Sequence, residues 1–260
     1  MNKPTRTLVP LVVLLASGCW LPEPRTVATQ EETLAVDGLD TLRFDVGAGD
    51  LDVVGDPALD HVEVTVVLRT NRAMDDHDAD ALRALDFRLE AIDGEASLVV
   101  RLDDSSVSDF YADVTVALPS SMHLAGQDGS GDIHVRDVAS LDLVDDSGDI
   151  WVSTVPGAVL IDDASGDLQL RSTGEVAIHD TSGEIDVAQV DGGVVIEDDS
   201  GEITVEDVSL DVDIVDESGG IRVRHVVGTV TITDGSGDID VSDVGRFDLL
   251  ADGSGDVSYQ

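Results

Sequence analysis

Aspartate and serine recur together in a short motif that could supply ligands to a metal ion. The motif is Asp-x-Ser-Gly, followed by an acidic residue or glycine and then by Ile, Leu or Val, and it occurs eight times between residues 128 and 257. Successive motif serines stand 17 or 18 residues apart, a regularity that indicates an internal repeat. Carboxylates, hydroxyls and turn carbonyls at a fixed spacing are the oxygen ligands that Ca²⁺ prefers.

If the repeats stack in register, the acids form two columns. Unit charges about 4.8 Å apart repel by roughly 1 kcal/mol in water, so something must offset their repulsion. The leading column holds Asp128, Asp145, Asp163, Asp180, Asp198, Asp216, Asp234 and Asp252. The following column, one residue after each motif glycine, holds Asp132, Asp149, Asp167, Glu184, Glu202, Asp238 and Asp256, with Gly220 as its one gap.

Two accounts of these columns stay open. In the first, each leading Asp accepts hydrogen bonds from its own turn, the motif glycine supplies a positive φ, the serine hydroxyls stack, and the following acids point into water. In the second, adjacent rungs bind Ca²⁺, and doubled acids such as Asp162-Asp163 add ligands. The spacing matches neither an EF-hand nor the nonapeptide calcium repeats. We expect turn chemistry and keep calcium as the alternative cofactor.

The apolar residues between the motifs predict the elements that carry the acids. In one period, Ile150 and Val152 alternate with polar residues, and Val159 and Ile161 do so before the next motif. A period of two indicates strands with one buried face. Each period therefore holds at least two short strands separated by two turns. Stacked periods predict an all-β fold, a parallel β-solenoid of about eight coils of 17–18 residues (residues 126–260).

The segment before the repeats is predicted to cap the solenoid. We assign residues 33–125 to an N-terminal β-rich cap that is continuous with the coils, because an open solenoid end would expose unpaired strands. Alternating residues and the turn signal Asp93-Gly94 predict a hairpin over residues 87–102. Residues 78–85 predict a short helix with Leu82 and Leu85 facing inward.

The first residues carry the signals of an exported lipoprotein. Lys3 and Arg6 precede a short apolar run, which ends at Leu15-Ala16-Ser17-Gly18-Cys19. This order predicts a signal peptide over residues 1–18, cleaved before a lipid-modified Cys19, and a lipid-anchored tether over residues 19–32. Trp20 after the cysteine favours the outer membrane or cell surface, so we expect a cell-envelope location with the membrane as a partner.

The strongly negative charge of the chain excludes some classes of binding partner. The chain has a formal net charge of −41, and Lys3 is its only lysine. Nucleic acids are excluded as partners because phosphate contacts need Lys and Arg. Electrostatic docking on anionic lipid is excluded for the same reason. With 42% hydrophobic residues, the chain can still build a core.

Few other residues suggest chemistry. His134, Trp151 and Arg222 occupy the same outward position in different coils, and such a row could contact a cell-surface glycan or an envelope protein. No His or Lys is placed by the repeat to activate the motif serines, and the histidines lack metal-ligand spacing. No catalytic residue is predicted.

With the repeats in view, the chain resembles a bacterial family of proposed adhesins, the β-strand-repeat domains of uncharacterised function. The resemblance covers roughly residues 33–260. It rests on the strand ending in Val114-Thr115-Val116-Ala117-Leu118-Pro119 and on Ser-Gly-Asp-Ile steps such as Ser147 to Ile150 and Ser236 to Ile239. It implies a parallel β-solenoid and carries over no catalytic residue.

These observations favour a non-enzymatic cell-envelope lipoprotein that presents an acidic solenoid for adhesion, interaction or structural support. One alternative is a calcium-dependent adhesive or glycan-binding module. The other is a polysaccharide-active enzyme on a β-helix scaffold, but such enzymes need a cleft with defined acid groups. The short, nearly uniform turns of this chain favour the non-enzymatic function.

Overall fold

The computed structural model describes residues 24–73, 77–102 and 107–260. The predicted signal peptide and Cys19 lie outside these residues, as does the first part of the predicted tether. The described residues form 21 strands and one helix. No helix in this part of the chain is long and apolar enough to cross a membrane.

The N-terminal region combines antiparallel and parallel pairings. β1 pairs antiparallel with β4, β4 antiparallel with β7, and β7 parallel with β3. β5 and β6 form the predicted hairpin, in which Asp93 and Gly94 both have positive φ, as a two-residue turn of type I′ requires. The elements are β1 (Arg25–Ala35), β2 (Thr41–Val46), β3 (Leu51–Gly55), β4 (His61–Thr70), α1 (His77–Ala84), β5 (Leu85–Ile92), β6 (Glu95–Leu102) and β7 (Phe110–Leu118).

The helix differs in detail from its prediction. It begins at His77, and its buried residue is Ala81, whereas Leu82 is 41% exposed and Leu85 already belongs to β5. The prediction that Leu82 faces inward was therefore wrong. A two-turn helix lies against only a few partners, here β1 and β5, so one small side chain is enough to make the contact.

Most motif periods form two short strands, and the buried residues alternate along them as predicted. Ile150 and Val152 of β11 are buried, as are Val159 and Ile161 of β12, and burying each such side chain contributes about 1.5–3 kcal/mol. The repeat strands are β8 (His123–Asp128), β9 (Ile133–Arg136), β10 (Ser140–Asp145), β11 (Ile150–Val155), β12 (Val159–Asp163), β13 (Leu168–Thr173), β14 (Val176–Asp180), β15 (Ile185–Val190), β16 (Val194–Asp198), β17 (Ile203–Val208), β18 (Val212–Asp216), β19 (Ile221–Asp234), β20 (Ile239–Asp252) and β21 (Val257–Tyr259).

The strands stack as two parallel layers with the core between them. The strands that precede each motif turn form one layer, which we call the first sheet, running from β2 through β8, β10, β12, β14, β16 and β18 to the second halves of β19 and β20. The strands that follow the turn form the second sheet, from β3 through β9, β11, β13, β15 and β17 to β19, β20 and β21. The structure thus confirms a parallel β-solenoid of about eight coils.

The N-terminal region joins this stack without a break. β2 pairs with β6 on one side and with β8 on the other, and β3 pairs with β7 and β9 in the same way. Ala48 forms a parallel bridge with Ser130, so residues 47–50 lie as a turn directly over the first full motif. One hydrophobic core extends from Leu34 to Val241.

A second bend, inside the second sheet, was not predicted. Seven of the eight repeat coils hold one non-glycine residue with φ near +60°, and the strand register skips it, as between β11 and β13. The second turn predicted for each period is absent at Gly228 and Gly245, where β19 and β20 continue as strands. The left-handed residues are Asp137, Thr154, Ser172, Gln189, Asp207, His225 and Asp243.

Candidate functional site

The motif turns lie above one another and form one long edge of the solenoid, which we call the turn edge. Its leading aspartates end the strands of the first sheet and pair in register, for example Asp145 with Asp163 and Asp163 with Asp180. Seven of them, from Asp128 to Asp234, are only 0–4% exposed, whereas Asp252 is exposed. The leading column therefore lies inside the solenoid.

Turn backbone groups satisfy one oxygen of most of these carboxylates. The N–H of the motif serine donates to Oδ1 of the aspartate two residues earlier, over 3.0–3.3 Å in the five coils from Asp163 to Asp234. This contact confirms the predicted turn chemistry. The second oxygen, Oδ2, has no hydrogen-bond partner among the described residues, and in Asp128 and Asp145 both oxygens lack one.

Burial shifts the protonation of the leading column. It is the largest cause that raises the pKa of Asp128 to about 8, and the charge of Asp145 adds to it. The pKa of Asp163 and Asp216 is raised to about 7, by burial first and then by neighbouring aspartates of the column. Burial also raises the pKa of Asp145 and Asp198 to about 6. Burial therefore favours the neutral form of these carboxyl groups more than water does.

The following column points outward and is bound differently. Four of its carboxylates, those of Asp132, Asp149, Asp167 and Asp238, accept a hydrogen bond from the backbone N–H of the equivalent residue in the next coil. The bonds from Asp167 N–H to Asp149 Oδ1 and from Glu184 N–H to Asp167 Oδ1 are both 3.0 Å long. The expectation that these acids only point into water was incomplete. The ladder begins in the N-terminal region, where Asp132 N–H donates to Asp50.

The motif serines link coils through the backbone. Ser200 Oγ donates to the carbonyl of Thr181 over 3.2 Å, and Ser218 Oγ donates to the carbonyl of Asp199 over 3.3 Å. The expected stacking of hydroxyl on hydroxyl is replaced by these bonds to the preceding coil. A serine hydroxyl held in this way is a structural donor.

The motif glycines allow the turns to lie this close. A Cβ at Gly166 would stand 1.8 Å from the carbonyl oxygen of Gly148 in the preceding coil. Gly166 also has a φ of +149°, which side chains rarely adopt. Any side chain at this position would push the coils apart.

The two columns do not converge on common cation sites. The leading acids face the core, whereas the following acids lie across the turn on the surface. Among residues 24–73, 77–102 and 107–260, no group of three or more His, Cys, Asp or Glu side chains is arranged to hold a metal ion. Calcium at the predicted positions stays a prediction.

The outward row that contains His134, Trp151 and Arg222 lies on the second sheet. The rings of His134 and Trp151 stack with centroids 4.4 Å apart and planes 14° apart. Arg222 donates to Glu202 over 2.8 Å, so its charge is already partnered. The role of this row in binding stays a prediction.

Sequence reasoning missed that the leading aspartates face inward, although a signal was present. Val159, Ile161 and Asp163 share the same parity along β12, and all three are buried. The alternation that predicted the core therefore also predicts an inward aspartate in each coil. The motif by itself indicates a turn, and aspartate in turns is commonly at the surface.

Comparisons with known proteins place this geometry in a family. No curated protein matches the chain at a significant level. Among solved structures, a proposed adhesin from Bacteroides fragilis is 13% identical, with 89% of this chain and 97% of that chain covered and a TM-score of 0.49. A proposed lipid-binding protein from Parabacteroides distasonis is 15% identical, with 89% and 96% covered and a TM-score of 0.47.

The family model described as Toastrack DUF4097 matches residues 60–259. This match spans most of the N-terminal region and every motif coil. It confirms the resemblance predicted from the repeats. The chain belongs to the Toastrack DUF4097 family.

Proposed function

We propose that this chain is a non-enzymatic cell-envelope lipoprotein that presents the acidic turn edge of its solenoid to a partner. The observation that carries the proposal is the following column, which places an outward carboxylate in every repeat coil except that of Gly220, with four of these carboxylates bonded to the backbone of the next coil. Strands of neighbouring coils lie about 4.8 Å apart. Such a surface suits an extended or repetitive partner, because many weak contacts add up along one face.

The chemistry of the motif supports a binding function over catalysis. The serine hydroxyls are engaged by backbone carbonyls, for example Ser182 Oγ with the carbonyl of Ala164. Four of the outward carboxylates accept backbone N–H groups of the next coil, so these four are held in place before any partner arrives. Preorganised groups lower the entropic cost of binding.

The proposed anchor is the lipid on Cys19, which would hold the solenoid at the outer membrane or cell surface. Repulsion between the acidic solenoid and anionic lipid would keep the rod away from the bilayer. Replacement Cys19→Ala tests the anchor directly. We expect the protein to move from the membrane fraction to the soluble fraction; unchanged membrane association would contradict lipid anchoring.

Binding is tested with whole cells and arrayed glycans as probes. The triple variant Asp149→Asn, Asp167→Asn and Glu184→Gln removes three charges from the turn edge while keeping oxygen acceptors for the backbone donors. A control with Asp142→Asn, Asp162→Asn and Asp213→Asn removes three outward charges from the first sheet. We expect the first variant to lose at least tenfold in binding and the control to keep it.

Two results would contradict the proposal. Equal loss in both variants would mean that binding depends on net charge alone. Release of products from uronate or glucan polymers would make the chain an enzyme. Repeating the binding in EDTA and in millimolar Ca²⁺ separates plain adhesion from the calcium-dependent form.

A further inference from the structure

The leading column is a feature that the proposed function does not use. Its members stack in register on successive strands of the first sheet, one per coil, inside the solenoid. They are Asp128, Asp145, Asp163, Asp180, Asp198, Asp216 and Asp234.

Each of these side chains leaves part of its carboxyl group without a partner. In the five coils from Asp163 to Asp234, Oδ1 accepts the N–H of the motif serine, whereas Oδ2 is buried and receives no donor from the described residues. An ionised oxygen in that position loses its hydration, and the backbone N–H groups of the turn, which lower the pKa of these carboxyls, compensate only in part. Either a proton or a cation must neutralise it.

The surrounding groups do not supply enough positive charge. The titratable groups that act on the column are its own members, the acids Asp146, Asp199 and Asp252, and His179 beside Asp180. Apart from that histidine, every one of these groups is acidic. The inward neighbours on the strands before and after each turn are apolar, such as Ile161 and Leu168 around Asp163.

We propose that the leading aspartates form a proton-binding column, so that the solenoid takes up protons when it folds and loosens along the turn edge when alkaline pH removes them. The protons occupy the buried oxygens that lack donors. The column then holds neutral carboxyl groups between apolar layers, and the repulsion expected between adjacent rungs disappears.

The protonation of the column in the folded chain supports this assignment. Burial raises the pKa of Asp163 and Asp216 to about 7 and that of Asp145 and Asp198 to about 6, whereas a free aspartate titrates near 3.9. A group whose pKa is higher in the folded state stabilises that state most below its unfolded pKa. The contribution is lost progressively as pH rises from the unfolded value through the folded values, here between about pH 4 and pH 8.

The test is thermal unfolding of the purified chain from pH 5 to pH 9, at fixed ionic strength and in EDTA. The double variant Asp163→Asn and Asp216→Asn keeps the acceptor for the motif serine and removes two titrating groups. Its matched control, Asp162→Asn and Asp213→Asn, changes outward residues on the same two strands, β12 and β18. Both variants remove the same charge.

We expect the unfolding midpoint of the wild type and the control to fall as pH rises from 6 to 8. The column variant should show a clearly smaller fall and exceed the wild type at pH 8. If the column variant follows the wild type across the whole range, or if the control loses as much pH dependence as the column variant does, the proposal is wrong.

Two measurements on the wild type keep the test decisive if the variant does not fold. The infrared carbonyl band of protonated carboxylic acids should persist at pH 6–7, where exposed carboxylates are ionised; its absence would overturn the proposal. Addition of millimolar Ca²⁺ at pH 8 should not restore the midpoint beyond the effect of Mg²⁺. A specific rise with Ca²⁺ would mean that the column holds a cation instead of protons.

Discussion

The N-terminal region and the repeat coils handle the same excess of acid in different ways. In the N-terminal region, arginines reach carboxylates that are often distant in sequence. These pairs are Arg25 with Asp78, Arg43 with Glu95, Arg69 with Asp113, Arg72 with Asp109, Arg83 with Asp80, Arg88 with Asp86, and Arg101 with Asp45. Along the turn edge of the coils, most carboxylates instead accept from backbone N–H groups or lie buried, and Glu202 pairs with Arg222.

This difference explains how a strongly acidic chain can fold with few positively charged side chains. In a region without sequence repeats, such as the N-terminal region, each arginine can stand beside its own carboxylate. A repeat multiplies every charge by the number of coils, so it needs a neutralising group that is repeated as well. The backbone supplies one such donor per coil without any change in sequence.

The largest expected loss of stability comes from placing a side chain between two stacked turns. Gly166→Ala would place a methyl group 1.8 Å from the carbonyl of Gly148, so we expect a loss of about 3 kcal/mol or more in the free energy of unfolding. In the N-terminal region, Gly94→Ala meets no atom within 4 Å and should cost only about 1 kcal/mol, for its positive φ. Denaturant unfolding of both variants checks this. Similar losses would mean that close stacking does not distinguish the coils.

The next largest effect is expected at two buried threonines, one in each region, which differ in whether the hydroxyl has a hydrogen-bond partner. Thr173 occupies a core position that is valine in neighbouring coils, and its hydroxyl has no partner among the described residues, so Thr173→Val should stabilise by about 1 kcal/mol. Thr70 in the N-terminal region donates to the carbonyl of Asp109 over 2.9 Å, so Thr70→Val should destabilise by about 1 kcal/mol. Chemical denaturation measures both changes, and equal signs would contradict the contrast.

The smallest expected effect is that of salt, which should destabilise the ion pairs of the N-terminal region and stabilise the turn edge. The Arg101–Asp45 pair is partly exposed, so Arg101→Met should cost about 0.5 kcal/mol at low salt and almost nothing in 1 M NaCl. The outward carboxylates of the turn edge should gain from the same salt, because it screens their repulsion. Hydrogen exchange, read separately for β6 and β15, checks both signs. Parallel changes in the two regions would show that the ion pairs have no separate role.

The sequence was sufficient for the solenoid because its signals are periodic. The motif spacing and the alternation of residues such as Val159 and Ile161 predicted the coils, the two strands per coil and the turn contacts. The same alternation predicts that Asp163 faces inward, whereas the turn motif alone predicts only that its carboxyl group accepts hydrogen bonds from the turn. Its burial could be recognised only when both flanking coils were in place.

The local deviations were harder to predict because no repeated signal marks them. Threonine is β-branched and a poor candidate for a left-handed conformation, yet Thr154 adopts it because the coil must turn there. The exposure of Leu82 depends on how a short helix meets β1 and β5. Such features follow from tertiary contacts that single residues do not encode.

The in-register pairing of equivalent residues also makes the length of the rod a modular quantity. Because Asp163, Asp180 and Asp198 each lie over the same position of the adjacent coil, removing residues 181–198 would join Asp180 to Asp199 and leave every remaining rung opposite an equivalent one. A deletion of half that length would place polar residues in the core. Duplication or loss of whole coils therefore offers evolution a way to change the reach of the molecule without redesigning its interior.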